Sequence, residues 1–383
     1  MIPRGQLDIN YRDLLAGLKY CLLNSPESVT SSSLDESLYL SVRTGFHLTL
    51  KALNLPVGSE IIVTNINIPD MFTIIAAHGL KAVPVPVDKH SLSISIHDVE
   101  RAITPRTRAL LVTHLFGAIT PMDELINLAQ QHGLIVFEDC AQAYAGNSYQ
   151  GHPRTDVVMF SFGLIKTNTA ISGAQLIINN PELSRKVIEL INGLPVQPTR
   201  IFRKKLVKAL LIKLLTERSV YTAFYHLIKL AGKDFDAVLS GFTRGFPGAD
   251  LLQKINYRPC PANLKLLVRK IIGFDEATLD KRRNLAFDVT QCLPENMRIG
   301  NGNKRHTYWV WPVVSNHPHR LIEHLRAQGF DATQKASSLI KIEPDRPIAN
   351  NDLVLEDLVY LPMYINMTTK QRSKLSRLLS IAH

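Results

Sequence analysis

Cysteine is scarce in this chain and scattered: Cys21, Cys140, Cys260 and Cys292 are the only four in 383 residues, and no two form a CxxC pair. That spacing argues against a clustered-cysteine metal site and against a disulfide framework, and it predicts reduced, mostly buried thiols. Also absent is any uninterrupted run of about 18 uncharged apolar residues, so no membrane-spanning helix is expected. The opening MIPRGQLDINYRDLL lacks the apolar segment behind a basic start that marks a secretory signal, and a cytoplasmic protein is the expectation. Acidic residues are in deficit: 33 Asp and Glu against 44 Lys and Arg give a formal charge of +11. Such a surplus favours anionic partners without choosing among phosphates, nucleotides, nucleic acid and acidic lipid. Nucleic acid is the least favoured of these, because the basic residues lack interleaved aromatics and no known module accompanies them.

What is present reads as a large folded protein. Forty-five per cent hydrophobic and 20% charged residues are ordinary globular proportions and exclude wholesale disorder. From residue 59 to 180, short β-branched runs (EIIVTNI, AVPVPVD, ALLVTHLF, LIVFED, VVMFSF, AQLIINN) alternate with helical patterns such as 121–132. Several of these runs are apolar without alternation, as strands covered on both faces are, so the spacing predicts an α/β layer around a mainly parallel central sheet. The last third predicts a smaller α+β domain, with helices over 262–293, a strand over 308–314, a helix from HRLIEHLRAQGF, a strand from LVYLPMY and a final helix. The expected division is a large α/β domain over 1–195, a basic helical insertion over 196–250 and a small C-terminal α+β domain over 251–383.

Chemistry concentrates at the ends of the predicted strands, where ligands bind in open parallel sheets. Glu138 and Asp139 close the run IVFED, and a buried carboxylate there costs several kcal/mol, in order of magnitude, unless it is paired with a cation. Twenty-seven residues after Asp139, SFGLIKTN places Lys166 just beyond the next strand. A partly desolvated amine loses proton affinity and becomes a nucleophile able to form a Schiff base with an aldehyde. Pyridoxal 5'-phosphate (PLP) has both an aldehyde and a protonated ring nitrogen that a carboxylate can pair with. Its phosphate requires donors at a helix start, and SVRTGFHLTLKAL offers Thr44 as a cap with Gly45 at the opening of an amphipathic helix. Taken singly, a strand-end Asp is commonly a cap, a Lys is commonly solvated and a Thr-Gly pair is commonplace. Their order carries the reading.

That order resembles the DegT/StrS family of PLP-dependent sugar aminotransferases, which have the aspartate aminotransferase-like type I fold. The resemblance rests on LPVGSEIIVTNINIPDMFTIIAAHGLKAVPVPVD, on LLVTHLFGAITPMDELINLAQQHGLIVFEDCAQAYAG and on TDVVMFSFGLIKTNTAISGAQLII. It implies that Asp139 pairs with the ring nitrogen, Gln142 hydrogen-bonds the ring hydroxyl, and Ser161 with the Thr44–Gly45 backbone holds the phosphate. Lys166 would be the Schiff-base lysine and a catalytic residue, and His114 of HLFG a second catalytic residue beside the cofactor. Asn256 of INYRP would reach the phosphate of a neighbouring subunit, so a homodimer with shared sites is implied. No metal is. Three departures stand out: Ile68 where the family places an aromatic on the cofactor, Thr-Gly where it has Gly-Thr, and AISGA where it has Gly-Glu-Gly-Gly. These weaken the inference of a nucleotide-linked keto-sugar as substrate. The family's sugar dehydratases carry histidine at the lysine position; retention of Lys166 favours aminotransfer, with glutamate or glutamine as implied donor.

Relative to that family the stretch between Lys166 and Asn256 is longer by one or two helices. Its core, FRKKLVKALLIKLL, sets Lys204, Lys205, Lys208 and Lys213 among Leu, Val and Ile. One reading is a helix packed on the dimer with its lysines in solvent. The other is peripheral contact of 200–232 with anionic lipid, which makes an amphiphilic or lipid-linked keto or aldehyde acceptor plausible. A non-catalytic relic, or an elimination or condensation on the same scaffold, stands as the alternative to aminotransfer.

Overall fold

The computed structural model describes residues 1–23, 34, 36–236, 238–239, 250–334, 338–343 and 352–381; the end of the predicted insertion, 240–249, lies outside them. In chain order the helices are α1 (Tyr11–Leu22), α2 (Val42–Leu53), α3 (Pro69–Ala77), α4 (Ile96–Ala102), α5 (Asp123–Gln131), α6 (Pro181–Asn192), α7 (Thr199–Leu215) and α8 (Arg218–Leu230), followed by α9 (Leu251–Ile255), α10 (Pro261–Ile272), α11 (Ala277–Thr290), α12 (Pro318–Ala327) and α13 (Thr369–Ile381). The strands are β1 (Leu38–Tyr39), β2 (Glu60–Thr64), β3 (Ile66–Asn67), β4 (Lys81–Val85), β5 (Thr107–Thr113), β6 (Ile135–Asp139), β7 (Val157–Ser161), β8 (Ala174–Ile178), β9 (Pro312–Val314), β10 (Ile340–Lys341) and β11 (Leu358–Tyr360).

Seven strands form one sheet in the order β1-β8-β7-β6-β5-β2-β4. The pairs from β4 through β7 are parallel, and β8 runs antiparallel to both β7 and β1. This is the expected α/β architecture, with each predicted run of 59–180 supplying one strand. Both faces are covered, which explains the unbroken apolar runs. Phe46, Leu48, Phe137 and Leu176 belong to the core on one face, and Val99, Leu110, Ile126 and Val136 to the core on the other. Each fully buried large side chain contributes about 1.5–3 kcal/mol. Because side chains alternate along a strand, Glu138 falls on the Val136 face and Asp139 on the Phe137 face.

Beyond the sheet, β9 and β11 pair antiparallel in a small unit whose core includes Leu285, Val313, Leu325 and Leu375. The N-terminus joins it: Ile2 bridges to Phe330, and Arg4 pairs with buried Asp331. Only 312–314 of the predicted strand 308–314 is a strand. The residues before it are pinned elsewhere, because Thr307 N–H donates to Gly117 O at 2.7 Å and Ile119 N–H to Arg305 O at 2.8 Å. The turn that receives them, HLFG, has Phe116 at φ 57° and Gly117 at φ 101°.

Over the predicted insertion the chain forms two helices, α7 and α8. Phe202, Leu206 and Ala209 of α7 join the core that α1 and α10 share beneath the sheet, while Tyr221 of α8 donates its hydroxyl to Asp331. The lysines of α7 divide. Lys205 donates to Ser172 Oγ at 3.3 Å and Lys213 to Leu7 O at 3.3 Å, both partly buried, whereas Lys204 is exposed. Val207, Leu211 and Leu214 share the exposed face with Lys204.

Gly117 has no space for a side chain: a Cβ would lie 2.6 Å from Thr307 Oγ1 and 2.7 Å from Trp309 N. Gly117→Ala is therefore expected to lower stability by about 2–4 kcal/mol through overpacking and strain together and to redshift tryptophan emission as 306–311 lifts away. Chemical denaturation with fluorescence detection checks both.

Candidate active site

The two acids at the end of β6 have separate tasks. Glu138 is wholly buried and surrounded by donors: His114 Nε2 at 3.0 Å, His152 N–H at 2.8 Å, and the hydroxyls of Tyr149 and Thr155. Burial alone would raise its pKa, but the hydrogen bonds it accepts from His114, Thr155 and Tyr149 hold it at about 2. Asp139, on the opposite face, accepts from Asn67 Nδ2 at 3.1 Å and from Ala141 N–H at 3.1 Å. It is buried and makes no ion pair among the described residues. Asn67, which the sequence reading passed over, also donates to Thr113 Oγ1 at 2.9 Å and accepts from Ile68 N–H at 2.7 Å, so its side chain is fixed at every polar atom.

Lys166 stands in the loop after β7, with its N–H donating to Gly163 O at 3.0 Å. Its Nζ rests 4.0 Å from the centroid of the Trp309 ring, a cation–π contact delivered by the small domain. The indole N–H donates to Ile165 O at 2.8 Å, which locks the ring against the loop. Burial lowers the Lys166 pKa, the Asp139 carboxylate raises it and the Arg43 guanidinium lowers it, leaving it at about 8. Lys166, Asp139 and Arg43 thus share one electrostatic environment, although they come from three segments of the chain. The loop is tied down by Asp8, which accepts from Asn168 N–H at 2.9 Å and from Arg282 at 3.3 Å. Asn168 and Ile171 have φ of 55° and 71°, and such values in a β-branched residue mark backbone strain soon after the lysine.

The anion end differs from expectation. Helix α2 is capped by Ser41, whose Oγ accepts from Thr44 N–H at 3.2 Å, and Gly45 N–H donates to Ser41 O at 3.1 Å. The N–H groups of Thr44 and Gly45 are therefore used inside the helix, and the Thr44 hydroxyl donates to Ile255 O at 2.9 Å. This corrects the Thr44–Gly45 cradle: the helix opens three residues earlier because Ser41 has the extended conformation and free oxygen a cap requires. Gly45 instead packs against Leu176. The positive end of α2 lies at 41–43, where Arg43 pairs with Asp70. Ser161 ends β7 with its Oγ 3.4 Å from Gly163 N–H.

Gln142 uses its carbonyl oxygen to accept from Phe116 N–H at 2.8 Å, which leaves its amide hydrogens as what it can offer a ligand. His114 is fully buried; Nδ1 accepts from Thr120 N–H at 3.1 Å and Nε2 donates to Glu138. Both ring nitrogens are thereby engaged, so a catalytic role at His114 has no free nitrogen to serve it. Ile68 caps α3 beside Asn67 and supplies no aromatic surface. Asn256 follows Ile255 at the start of α2, and its side-chain oxygen is buried without a hydrogen-bond partner. Residues missed in the sequence are Asn67, Arg43 and Trp309; the last belongs to WVW, which holds both tryptophans of the chain.

Residues 40–208 match the model of the DegT/DnrJ/EryC1/StrS aminotransferase family. That region is similar to the aminotransferases of this family. Over 100% of both chains the fold is similar to sugar aminotransferase CalS13 from Micromonospora echinospora, with 17% identity and a TM-score of 0.69. Helicobacter pylori PseC, an aminotransferase involved in the biosynthesis of pseudoaminic acid, has 16% identity and a TM-score of 0.69 over 100% of this chain and 98% of its own. NtdA from Bacillus subtilis, solved with bound cofactor PMP, has 17% identity and a TM-score of 0.64 over 98% and 82%. At these identities the likeness speaks for the fold alone, the PLP type I architecture.

The residues fit that cofactor. A buried carboxylate with neutral donors only, an amine with lowered proton affinity and a helix start flanked by an arginine match its ring nitrogen, aldehyde and phosphate in turn. Two outcomes are expected. An amine-selective reagent should modify Lys166 of the cofactor-free protein with a pH midpoint near about 8 rather than the usual ~10.4, and Asp139→Asn should lower that midpoint further, since the charge removed is the one that raises it. Glu138→Ala should cost about 3–5 kcal/mol at pH 7, measured by urea unfolding. Because the folded pKa of Glu138 is depressed, its stabilisation is present above the ordinary carboxylate range of about 4.3 and is lost as pH falls toward about 2.

Proposed function

We propose that this protein is a homodimeric aminotransferase that takes an amino group from glutamate or glutamine and delivers it to the keto or aldehyde carbon of a sugar-like or amphiphilic acceptor. What supports the reading is the Lys166 amine held within the electrostatic reach of a buried Asp139 that has no ion-pair partner among the described residues. PLP supplies an electron sink when the Cα–H bond of the donor breaks.

The protein's own groups do the rest. Asp139, held by Asn67 and Ala141, keeps a negative charge where the ring nitrogen needs its proton. Lys166 binds the aldehyde and, once released, moves a proton at Nζ; a pKa of about 8 lets it both accept and donate near neutrality. Trp309 covers one side of that amine and limits water. Gln142 presents amide hydrogens toward the ring hydroxyl, while Ser161, Arg43 and the start of α2 form the positive end for phosphate. Asn256, with its buried oxygen unpartnered among the described residues, is the residue assigned to a contact across the dimer.

The same reading gives the insertion a surface role. Helix α7 has no acidic residue, and its outer face joins Arg200 and Lys204 to Val207, Leu211 and Leu214; this pattern suits peripheral contact with anionic lipid. No helix among the described residues is long and apolar enough to cross a membrane.

The purified protein with PLP should show an absorbance band at the edge of the visible that Lys166→Ala removes, and glutamate should convert it stably to the pyridoxamine form. Retention of the aldehyde form after glutamate would instead indicate an elimination or condensation. In flotation with liposomes of phosphatidylglycerol, wild type should rise with the vesicles and the double variant Leu211→Glu, Leu214→Glu should stay in buffer; equal recovery of both in buffer would remove the lipid contact.

A further inference from the structure

A cavity of about 770 Å³ opens beside Lys166, within the range of small-molecule sites. It is walled by the Lys166 loop, by the N-terminal stretch 4–11, by the end of α7 and the start of α8, and by the small domain at 308–311 and 360–366. Helices α7 and α8 therefore form one side of a chamber that reaches the reactive lysine. They are fixed in that position: Phe202 and Leu206 anchor α7 in the core, and Tyr221 ties α8 to Asp331 of the small domain.

Three of the cations in the wall are already paired with carboxylates, and among the described residues Lys166 and Lys213 are the two lysines of the wall without an ion pair. Arg4 pairs with Asp331 and Asp236, Arg282 with Asp8, and Lys270 with Asp13. Glu217 accepts from Tyr11 at 2.9 Å, and Lys213 donates to Leu7 O at 3.3 Å. A diphosphate would find only Lys213 beside Lys166 outside these pairs, and recruiting Arg4, Arg282 or Lys270 would leave a carboxylate uncompensated in a partly dry wall. The uncharged remainder is mixed: Gln6, Asn10 and Asn366 are polar, while Ile212, Leu215, Phe224, Trp309, Trp311 and Met363 give it a continuous apolar and aromatic part. Walls of this kind gain most from an uncharged C–H-rich body, roughly 25 cal/mol for each Å² of apolar surface withdrawn from water.

We infer that this cavity receives the uncharged aliphatic chain of an amphiphilic amino acceptor, held between the insertion helices and the small domain beside Lys166. The word acceptor rests on the aminotransferase reading; occupancy of the cavity by an aliphatic chain does not. The insertion then selects substrate from inside the molecule, separately from any contact its outer face makes.

The chain has only two tryptophans, and both line the cavity, so intrinsic fluorescence reports its occupancy without reference to turnover. Dodecyl maltoside, kept below its micelle concentration, is expected to change the emission saturably, and maltose alone to leave it unaltered. Leu215→Glu and Phe224→Ala should each weaken the apparent affinity at least about tenfold, with folding checked by far-UV circular dichroism; the outer-face variant Leu211→Glu should bind as wild type does. Three results would overturn the inference: an equal response to maltose, which makes it a sugar site; loss of the response in Leu211→Glu, which places the detergent on the outer surface; or no saturable response in a protein that still forms the Lys166-dependent visible band. In the last case the aminotransferase reading survives and the chain-binding cavity does not.

Discussion

One buried carboxylate sets the terms for the rest of the site. Asp139 is at the end of the central strand, shielded from water and given neutral hydrogen-bond donors only, so the field around it favours a cation at the carboxyl edge of the sheet. Its neighbour Glu138 has the same charge one residue away and a contrasting fate, because alternation turns it to the other face, where His114, Thr155, Tyr149 and His152 satisfy it. The first acid leaves a demand for positive charge open, and the second closes its own. Lys166 answers the open demand from another element, and burial, with the Arg43 charge acting on it, keeps the lysine easier to deprotonate than an exposed one.

Precision in this arrangement comes from outside the sheet. The strained HLFG turn admits 305–309 at backbone distance because residue 117 has no side chain, and the same segment then lays Trp309 across the lysine. Asp8, from the N-terminal stretch, grips the far side of the lysine loop through Asn168 and Arg282. The N-terminal stretch, insertion and small domain also meet at Asp331, which takes Arg4, Arg326 and Tyr221 together. A change in the insertion can therefore reach the lysine loop through packed and hydrogen-bonded neighbours.

Much of this was legible in the sequence, for a physical reason: buried parallel strands are short apolar runs, and each ends where chemistry can begin. The strands of the central sheet and the order of Asp139 and Lys166 follow from that logic. The cap of α2 was misplaced because Ser41 and Thr44 are both good capping residues three positions apart, and only the backbone conformation of Ser41 separates them. Trp309 could not be placed because its bond to Ile165 spans 144 residues, and no local periodicity encodes such a contact. Arg43 reads as a surface residue until Asp70 and Lys166 are brought to it. The divided lysines of α7 show the same limit, since helical spacing gives a face but not the carbonyl of Leu7 waiting beneath Lys213.

The most direct test compares PLP with its 1-deaza analogue, in which a C–H replaces the ring nitrogen, by equilibrium binding to the wild type and to Asp139→Asn. If the buried carboxylate exists to hold a protonated ring nitrogen, wild type should prefer PLP by at least about tenfold, the equivalent of ~1.4 kcal/mol, and the variant should bind both alike. Equal affinity of the wild type for the two, or a preference that persists in the variant, would contradict the pairing of Asp139 with the ring nitrogen.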